Sequence, residues 1–517
     1  MVFHGTIFFF TFAETYDAFV HIFFADHYAR SWFEPWDNRW YTGFNVTSYP
    51  PLVHQLTALL SFPFGLRYAF VFLAIGIVQL FIVGAYRFSK LWTTPRGAGY
   101  AAIFACFCSS IVEALHLFGQ LPTLMGIACL LNALPEIYRW VRYGKYYRLA
   151  TSLSIMGVGV TSHHVTTIFG MVFFVAPVMG LAVMDRIIEQ SKERVRNQLG
   201  LNFNVSRILE EELPKYRVTV KDFLVETWAR RKELLLFGGA IPFIMMLVFP
   251  YFYWSKTDPI TQVPIPHGSR DSFIEVTSSG LMFFLIPMGI IVLLLPYVFS
   301  RVWAKRNIFI GLSFTLVVIL GTGGTTPIPL LMLGETAFNI LTLDRFTFWA
   351  TMISIPFIGE FFYRLMEGDL KDYFRHRWGI WPHRLMWSFL VTSLAGLTIF
   401  IVNLSTFRPM QPKPIDTTPI VQFLERDQHD KWRFMTLGFG DQMAWLSAQT
   451  AAQSVDGNYH SARRLPEMTT RPLERLENSK FKGVQGLGSL QQFLTIPEKY
   501  YLKFIFSNDK FYDPILY

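Results

Sequence analysis

The sequence predicts a polytopic α-helical membrane protein of about eleven transmembrane helices, carrying a small C-terminal extracytoplasmic α/β domain. Three observations lead there. Of 517 residues 52% are hydrophobic and only 16% charged, below the roughly 25% charged of a soluble domain, so much of the chain faces lipid. Long apolar runs recur along the chain, and Lys and Arg gather in alternate connections between them.

Ten runs, at 67–86, 98–116, 120–138, 147–162, 164–184, 234–254, 277–299, 307–323, 343–366 and 384–404, come close to the length that crosses a bilayer. A hydrocarbon core of roughly 30 Å takes about 17 to 25 helical residues. An eleventh, Val2–Phe12, is short and lacks the basic n-region and cleavage site of a signal peptide. It is expected to be the outer part of a first span whose beginning is missing. Arg87–Arg96, Arg139–Arg148, Arg301–Arg306, Arg364–Arg384 and the charged insert 185–233 then share one side, the cytoplasm. The other side receives 13–66, 116–122, 255–276, 321–342 and everything after Ser405.

The chain thus divides into a transmembrane domain, 1–404, and an extracytoplasmic domain, 405–517, of a multi-pass protein of the plasma membrane. In the second domain KWRFMTLGF reads as a strand, DQMAWLSAQTAA as a helix and YYLKFIFSND as a strand. The chain stops at FYDPILY just after that strand, so the domain is expected to be incomplete. The net charge of +9 follows from topology and calls for no nucleic acid. Cys106, Cys108 and Cys129 lie in apolar runs and offer neither a disulfide framework nor a zinc spacing.

The first outer loop, 13–66, holds an expected amphipathic helix, a Trp-rich turn after Pro35, and a short helix from about Leu52 to Ser61. Helices rich in Phe and Trp are expected at the membrane interface. Asp17 lies beside the first span's end, where an acid needs a partner or a task. Asp26 falls nine residues on, on the opposite helical face, and has Arg30 at i+4 as a solvated ion-pair partner. Asp17 has His21 at that spacing and is the better functional candidate, with Asp37 a third acid of the loop.

Further ionisable groups gather at the same ends of other spans: Glu113, His116 and Gln120, then His163 and His164, His267 and Arg270, and Asp344 with Arg345. Glu113, His116, His163 and Arg345 are expected to surround one cavity beneath the first loop. Each group has a plainer reading. His163 and His164 suit a helix cap, and Asp344 suits a helix start, where it complements the dipole. Arg345 suits bidentate phosphate binding. The run GTGGTTPIP follows a span rather than a strand and is expected to open no helix, so it reads as a flexible outer loop, not a nucleotide site. Asn45-Val46-Thr47 matches a glycosylation sequon. SVDGNYHSARRLPE, with Asp456, Asn458, His460, Arg463 and Arg464, reads equally as a turn or as a flap over a ligand.

The segments YDAFVHIFFADHYAR, WDNRWYTGF, YPPLVHQL, FGQLPTLMG, TSHHVTT, LDRFTFWA and SVDGNYHSARRLPE, set on this topology, resemble the GT-C class of glycosyltransferases, as in the oligosaccharyltransferase catalytic subunit. More closely they resemble bacterial and archaeal membrane proteins labelled as related to 6-pyruvoyl-tetrahydropterin synthase. No residue here points to pterin chemistry. The resemblance spans nearly the whole chain and implies a GT-C-like fold that moves a sugar from a polyprenyl-phosphate-linked donor to a saccharide or protein acceptor. It implies a first-loop carboxylate acting as general base or holding a divalent cation, Mg or Mn, and basic groups steadying the departing lipid phosphate. Asp17, His21, Asp26, Asp37 and Glu113 are then catalytic candidates. His116, Gln120, His163, His164, His267, Arg270, Asp344, Arg345, His460 and Arg463 are substrate-binding candidates. A transporter and a non-catalytic subunit of a larger membrane assembly stay open as alternatives.

Overall fold

A computed structural model of the protein describes residues 2–198, 219–254, 267–407, 411–459, 465–469 and 490–508. Helices occupy each expected run, and their ends follow local chemistry. After α4 (Leu66–Ser89), α5 (Pro95–Phe107) begins with Pro95 in its first turn and Thr94 as N-cap, its hydroxyl accepting from Gly97 N–H. The chain breaks at Cys108 and resumes as α6 (Ser109–His116). Next, α7 (Leu121–Tyr143) ends at Gly144, whose φ of 66° is the left-handed conformation a helix stop favours.

Among the described residues five helices are long and apolar enough to cross a membrane, or seven if each of two bent pairs is one span. The first pair is α1 (Val2–Thr11) with α2 (Ala18–Arg30), bent by 91°. The second is Thr277–Met288 with Ile291–Val302, bent by 61° at Gly289, whose φ is 52°. The remaining expected spans coincide with helices Tyr146–Ser162 (α8), Arg231–Trp254, Ile308–Gly321 and Asp344–Met366.

One expectation fails at α2. It does not lie at an interface, because every residue from Ala18 to Tyr28 is buried. Its inner side packs on α3 (Leu52–Phe64) and its outer side is covered by helix Gln442–Gln449 from the other end of the chain. What read as amphipathicity is a helix whose few charged groups pair inside the protein.

The expected strand–helix–strand order of the C-terminal region lies at Arg433–Leu437 (β1), Gln442–Gln449 and Leu502–Ser507 (β3). Residues Gln453–Ser454 (β2) join them in a parallel sheet of order β2-β1-β3. Leu424, Phe434, Phe439, Met443 and Leu446 form its own small core. Met435, Leu437, Ala444 and Val455 belong to the core shared with the membrane helices. The two regions are therefore welded, and the loop between α2 and α3 is the weld.

A candidate functional site

At the end of the helices that carries the first loop lies a cavity of about 410 Å³. It draws its lining from distant parts of the chain: Asp17, His21 and Tyr49 from the first loop, Glu113 and Gln120 around α6, His163 and His164 from the next helix junction, Asp344 and Arg345 from the start of Asp344–Met366, and Asp441, Asn458 and Tyr459 from the C-terminal region.

Local structure explains each placement. Asp17 is the N-cap residue of α2, and its N–H donates to the carbonyl of Phe118 at 2.9 Å, which ties the loop to the α6–α7 turn. One helical turn on, His21 Nδ1 lies 3.0 Å from His54 Nε2 in a buried stacked pair. Glu113 is only 4% exposed, and its Oε1 has no hydrogen-bond partner among the described residues. Asp344 Oδ1 is likewise buried without one. Two buried acceptors facing one cavity call for a ligand donor, a proton or a cation, because an unpaired acceptor costs about 1–3 kcal/mol.

His163 fulfils its plainer reading. It is the N-cap of α9 (His164–Gly170), and its Nδ1 accepts from Thr166 N–H at 3.3 Å. That bond puts the ring proton of neutral His163 on Nε2. Arg345 Nε donates to Thr342 Oγ1 at 3.2 Å. Tyr49 was not singled out from the sequence. Burial pushes its phenol well above the ordinary value, Asp17 and Tyr459 push it further, and Arg345 opposes them. Its hydroxyl thus sits in the field of the cavity's acid and of its guanidinium.

Several sequence candidates lie elsewhere. His116 does not line the cavity: its Nε2 is 2.9 Å from Nδ1 of buried His4, so three of the four residues expected to converge do so. Asp26 is buried, not solvated, and Arg39 explains why. Arg39 Nη1 donates to Asp26 at 2.5 Å and Nη2 to Asp37 at 2.6 Å, while Arg30 reaches Asp26 at 2.8 Å. Burial alone would raise Asp37, but hydrogen bonds from His27 and Arg39 and the Arg39 charge outweigh it and hold the carboxyl below the usual carboxylate range. Asp26 and Asp37 therefore anchor Arg39.

His267 and Arg270 also stand off the cavity. His267 caps the turn Gly268–Arg270 and Arg270 Nη1 donates to Asn339 O at 2.7 Å. Burial lowers His267, Asp344 opposes this, and Arg270 and Arg345 add to it. Ser269 Oγ accepts from Leu343 N–H at 2.8 Å, so this turn braces the helix start that bears Asp344 and Arg345. The glycine-rich run is pinned as well, with Gly324 N–H donating to Asp271 O at 3.0 Å, and contrary to expectation it opens a helix, Ile328–Ile340, with Pro327 as N-cap. His460, Arg463 and Arg464 lie outside the described residues. Among the described residues no group of three or more His, Cys, Asp or Glu side chains is arranged to hold a metal ion.

No protein-family model and no curated protein matches the sequence. Solved structures do match. The chain is similar to the archaeal oligosaccharyltransferase AglB of Archaeoglobus fulgidus in complex with an inhibitory peptide and a dolichol-phosphate, at 11% identity and a TM-score of 0.53 over 96% of this chain. The apo form of the Archaeoglobus fulgidus enzyme matches at 12% identity and 0.53 over 95%, and its complex with Zn and sulfate at 12% and 0.51 over 96%. The chain spans about two-thirds of their length, 65%, 65% and 64% respectively. At such identity the likeness is one of fold: a multi-pass helical membrane protein built as an oligosaccharyltransferase is. Eight of the fifteen sequence-derived candidates line its cavity, and Tyr49, Asp441 and Tyr459 join them.

Proposed function

We propose that the protein is a membrane glycosyltransferase that moves a sugar from a polyprenyl-phosphate-linked donor to an acceptor on the non-cytoplasmic side. The observation that carries this reading is the meeting of Asp17 and Arg345 in one cavity, within a fold shared with an oligosaccharyltransferase. About eleven spans, a cytoplasmic insert at 185–233 and an outer region after Ser405 complete the proposed topology.

In the proposed reaction an acceptor hydroxyl attacks the anomeric carbon of the donor sugar. The O–H bond breaks as its proton passes to the Asp17 carboxylate, the new C–O bond forms, and the bond from carbon to phosphate oxygen breaks. Its electron pair leaves on the lipid phosphate. Arg345, whose guanidinium suits two phosphate oxygens at once, balances that charge. His164 and the Nε2–H of His163 line the same wall and are proposed as further donors to it. Glu113 and Asp344, buried with unpaired oxygens, are the groups that would hold a divalent cation, which would supply Lewis-acid stabilisation of the phosphate.

Asp17→Asn keeps the volume and removes the base. Transfer of radiolabelled sugar from a polyprenyl-phosphate donor by the full chain should fall by about 10² or more. The variant should still insert and bind donor. Normal transfer by Asp17→Asn would overturn the assignment.

A further inference from the structure

Resting on the transferase reading, we infer that the acceptor is a saccharide, held in a subsite that Tyr49, Asn458 and Tyr459 form in the wall of the cavity. Asn458 is oriented from behind. Gln411 Nε2 donates to Asp441 Oδ2 at 2.6 Å, Asp441 N–H donates to Gln411 Oε1 at 2.7 Å, and Asn458 Nδ2 donates to Asp441 Oδ1. With its NH₂ committed, the side-chain carbonyl is fixed as an acceptor. That Oδ1 is buried and has no partner among the described residues. It asks for a donor, and a sugar hydroxyl supplies one while offering its own lone pairs to neighbours.

The two phenols beside it form a corner. Tyr49 and Tyr459 meet with ring centroids 5.8 Å apart at 69°, and both line the cavity. Tyr459 is fixed at three points: its N–H donates to Tyr41 Oη at 2.8 Å, its hydroxyl to Ser48 O at 3.2 Å, and Phe24 packs on its ring at 5.4 Å. An aromatic corner next to an oriented amide matches a pyranose, whose C–H faces are apolar and whose edges carry hydroxyls. A peptide added as a strand to a sheet edge finds no place here, because among the described residues none that lines this cavity lies on a strand. The first loop and the 458–459 segment are tied together beside the cavity by the Tyr41 and Ser48 bonds.

The test uses the full chain in lipid nanodiscs and saturation-transfer NMR against two panels: di- to tetrasaccharides of hexoses, N-acetylhexosamines, pentoses and uronic acids, and Asn-, Ser- and Thr-containing peptides. At least one saccharide should bind and no peptide should. Asn458→Ala and Tyr459→Ala should each weaken that saccharide tenfold or more, and Tyr459→Phe should retain it as a folding control. Peptide binding without saccharide binding overturns the inference, as does saccharide binding indifferent to Asn458→Ala and Tyr459→Ala. Release of polyprenyl phosphate from donor is scored separately. If release does not depend on Asp17 while saccharide binds, the transferase reading falls and the subsite stands. If release depends on Asp17 but only peptides bind, the subsite falls and the transferase reading stands.

Discussion

Asp17 and Asp26 share a helix and have opposite fates. Asp17 opens α2 and faces the cavity, whereas Asp26 points away from it into the grip of Arg39 and Arg30. From the sequence Asp26→Asn would be nearly silent, because Arg30 at i+4 made a surface pair. The buried Arg39 reverses that expectation. Asp26→Asn leaves Arg39 to Asp37 alone and strips Arg30 of its carboxylate, which should cost a sizeable part of the about 3–5 kcal/mol of breaking a buried pair outright. Asp26→Asn should therefore lower the unfolding midpoint of the purified protein markedly, while Asp17→Asn should change it little. Unfolding of Asp26→Asn at the wild-type midpoint would contradict the buried cluster. Arg39 could not have been paired from spacing, since Asp26 lies thirteen residues back across a turn and its third contact, Ser447 O at 3.1 Å, lies 408 residues on.

The elements were legible where their cause is local. Apolar runs marked the helices because lipid or core must cover them, and KWRFMTLGF and YYLKFIFSND read as strands, which the fold pairs in parallel. Burial of α2 was not legible, because its cover arrives from helix Gln442–Gln449. The same holds for Tyr49, whose neighbours Arg345 and Tyr459 are about three to four hundred residues away in sequence. The segment 454–459 owes its position to such long-range contacts. Ser454 N–H donates to Arg39 O at 2.7 Å, and a Cβ at Gly457 would stand 2.6 Å from Trp40 Cδ2 and 2.8 Å from Tyr41 Cζ. Both aromatic rings are fully buried and have nowhere to go. Gly457→Ala should cost about 1–3 kcal/mol by overpacking. It should also displace Asn458 and Tyr459, so saccharide binding should fall further than stability alone accounts for. Unchanged binding in Gly457→Ala would show that this close contact does not position the subsite.

Across the whole molecule the two ends of the bundle differ in how they treat charge. At the end opposite the cavity, carboxylates are saturated with arginine: Glu136 receives Arg87 and Arg148 at 2.5 Å and Arg139 at 2.8 Å, Asp185 receives Arg306 at 2.6 Å, and Glu360 receives Arg301 at 2.6 Å. At the cavity end Asp26 and Asp37 are also held by arginine, but Glu113 and Asp344, which line the cavity, keep unpaired oxygens. The arginine-rich end is the one the positive-inside rule assigns to the cytoplasm, and the acids paired there do not weaken the assignment, because Asp and Glu count little in it. The exposed residue Lys221 lies in the insert proposed as cytoplasmic and the exposed Asp427 in the C-terminal region proposed as outer, so under that topology the two should report opposite sides. With Cys106, Cys108 and Cys129 replaced by serine, a membrane-impermeant maleimide applied to intact cells should label Asp427→Cys and leave Lys221→Cys untouched until the cells are permeabilised. Labelling in the reverse order would turn the cavity toward the cytoplasm. A lipid-linked sugar presented on the outer face could then never reach Asp17.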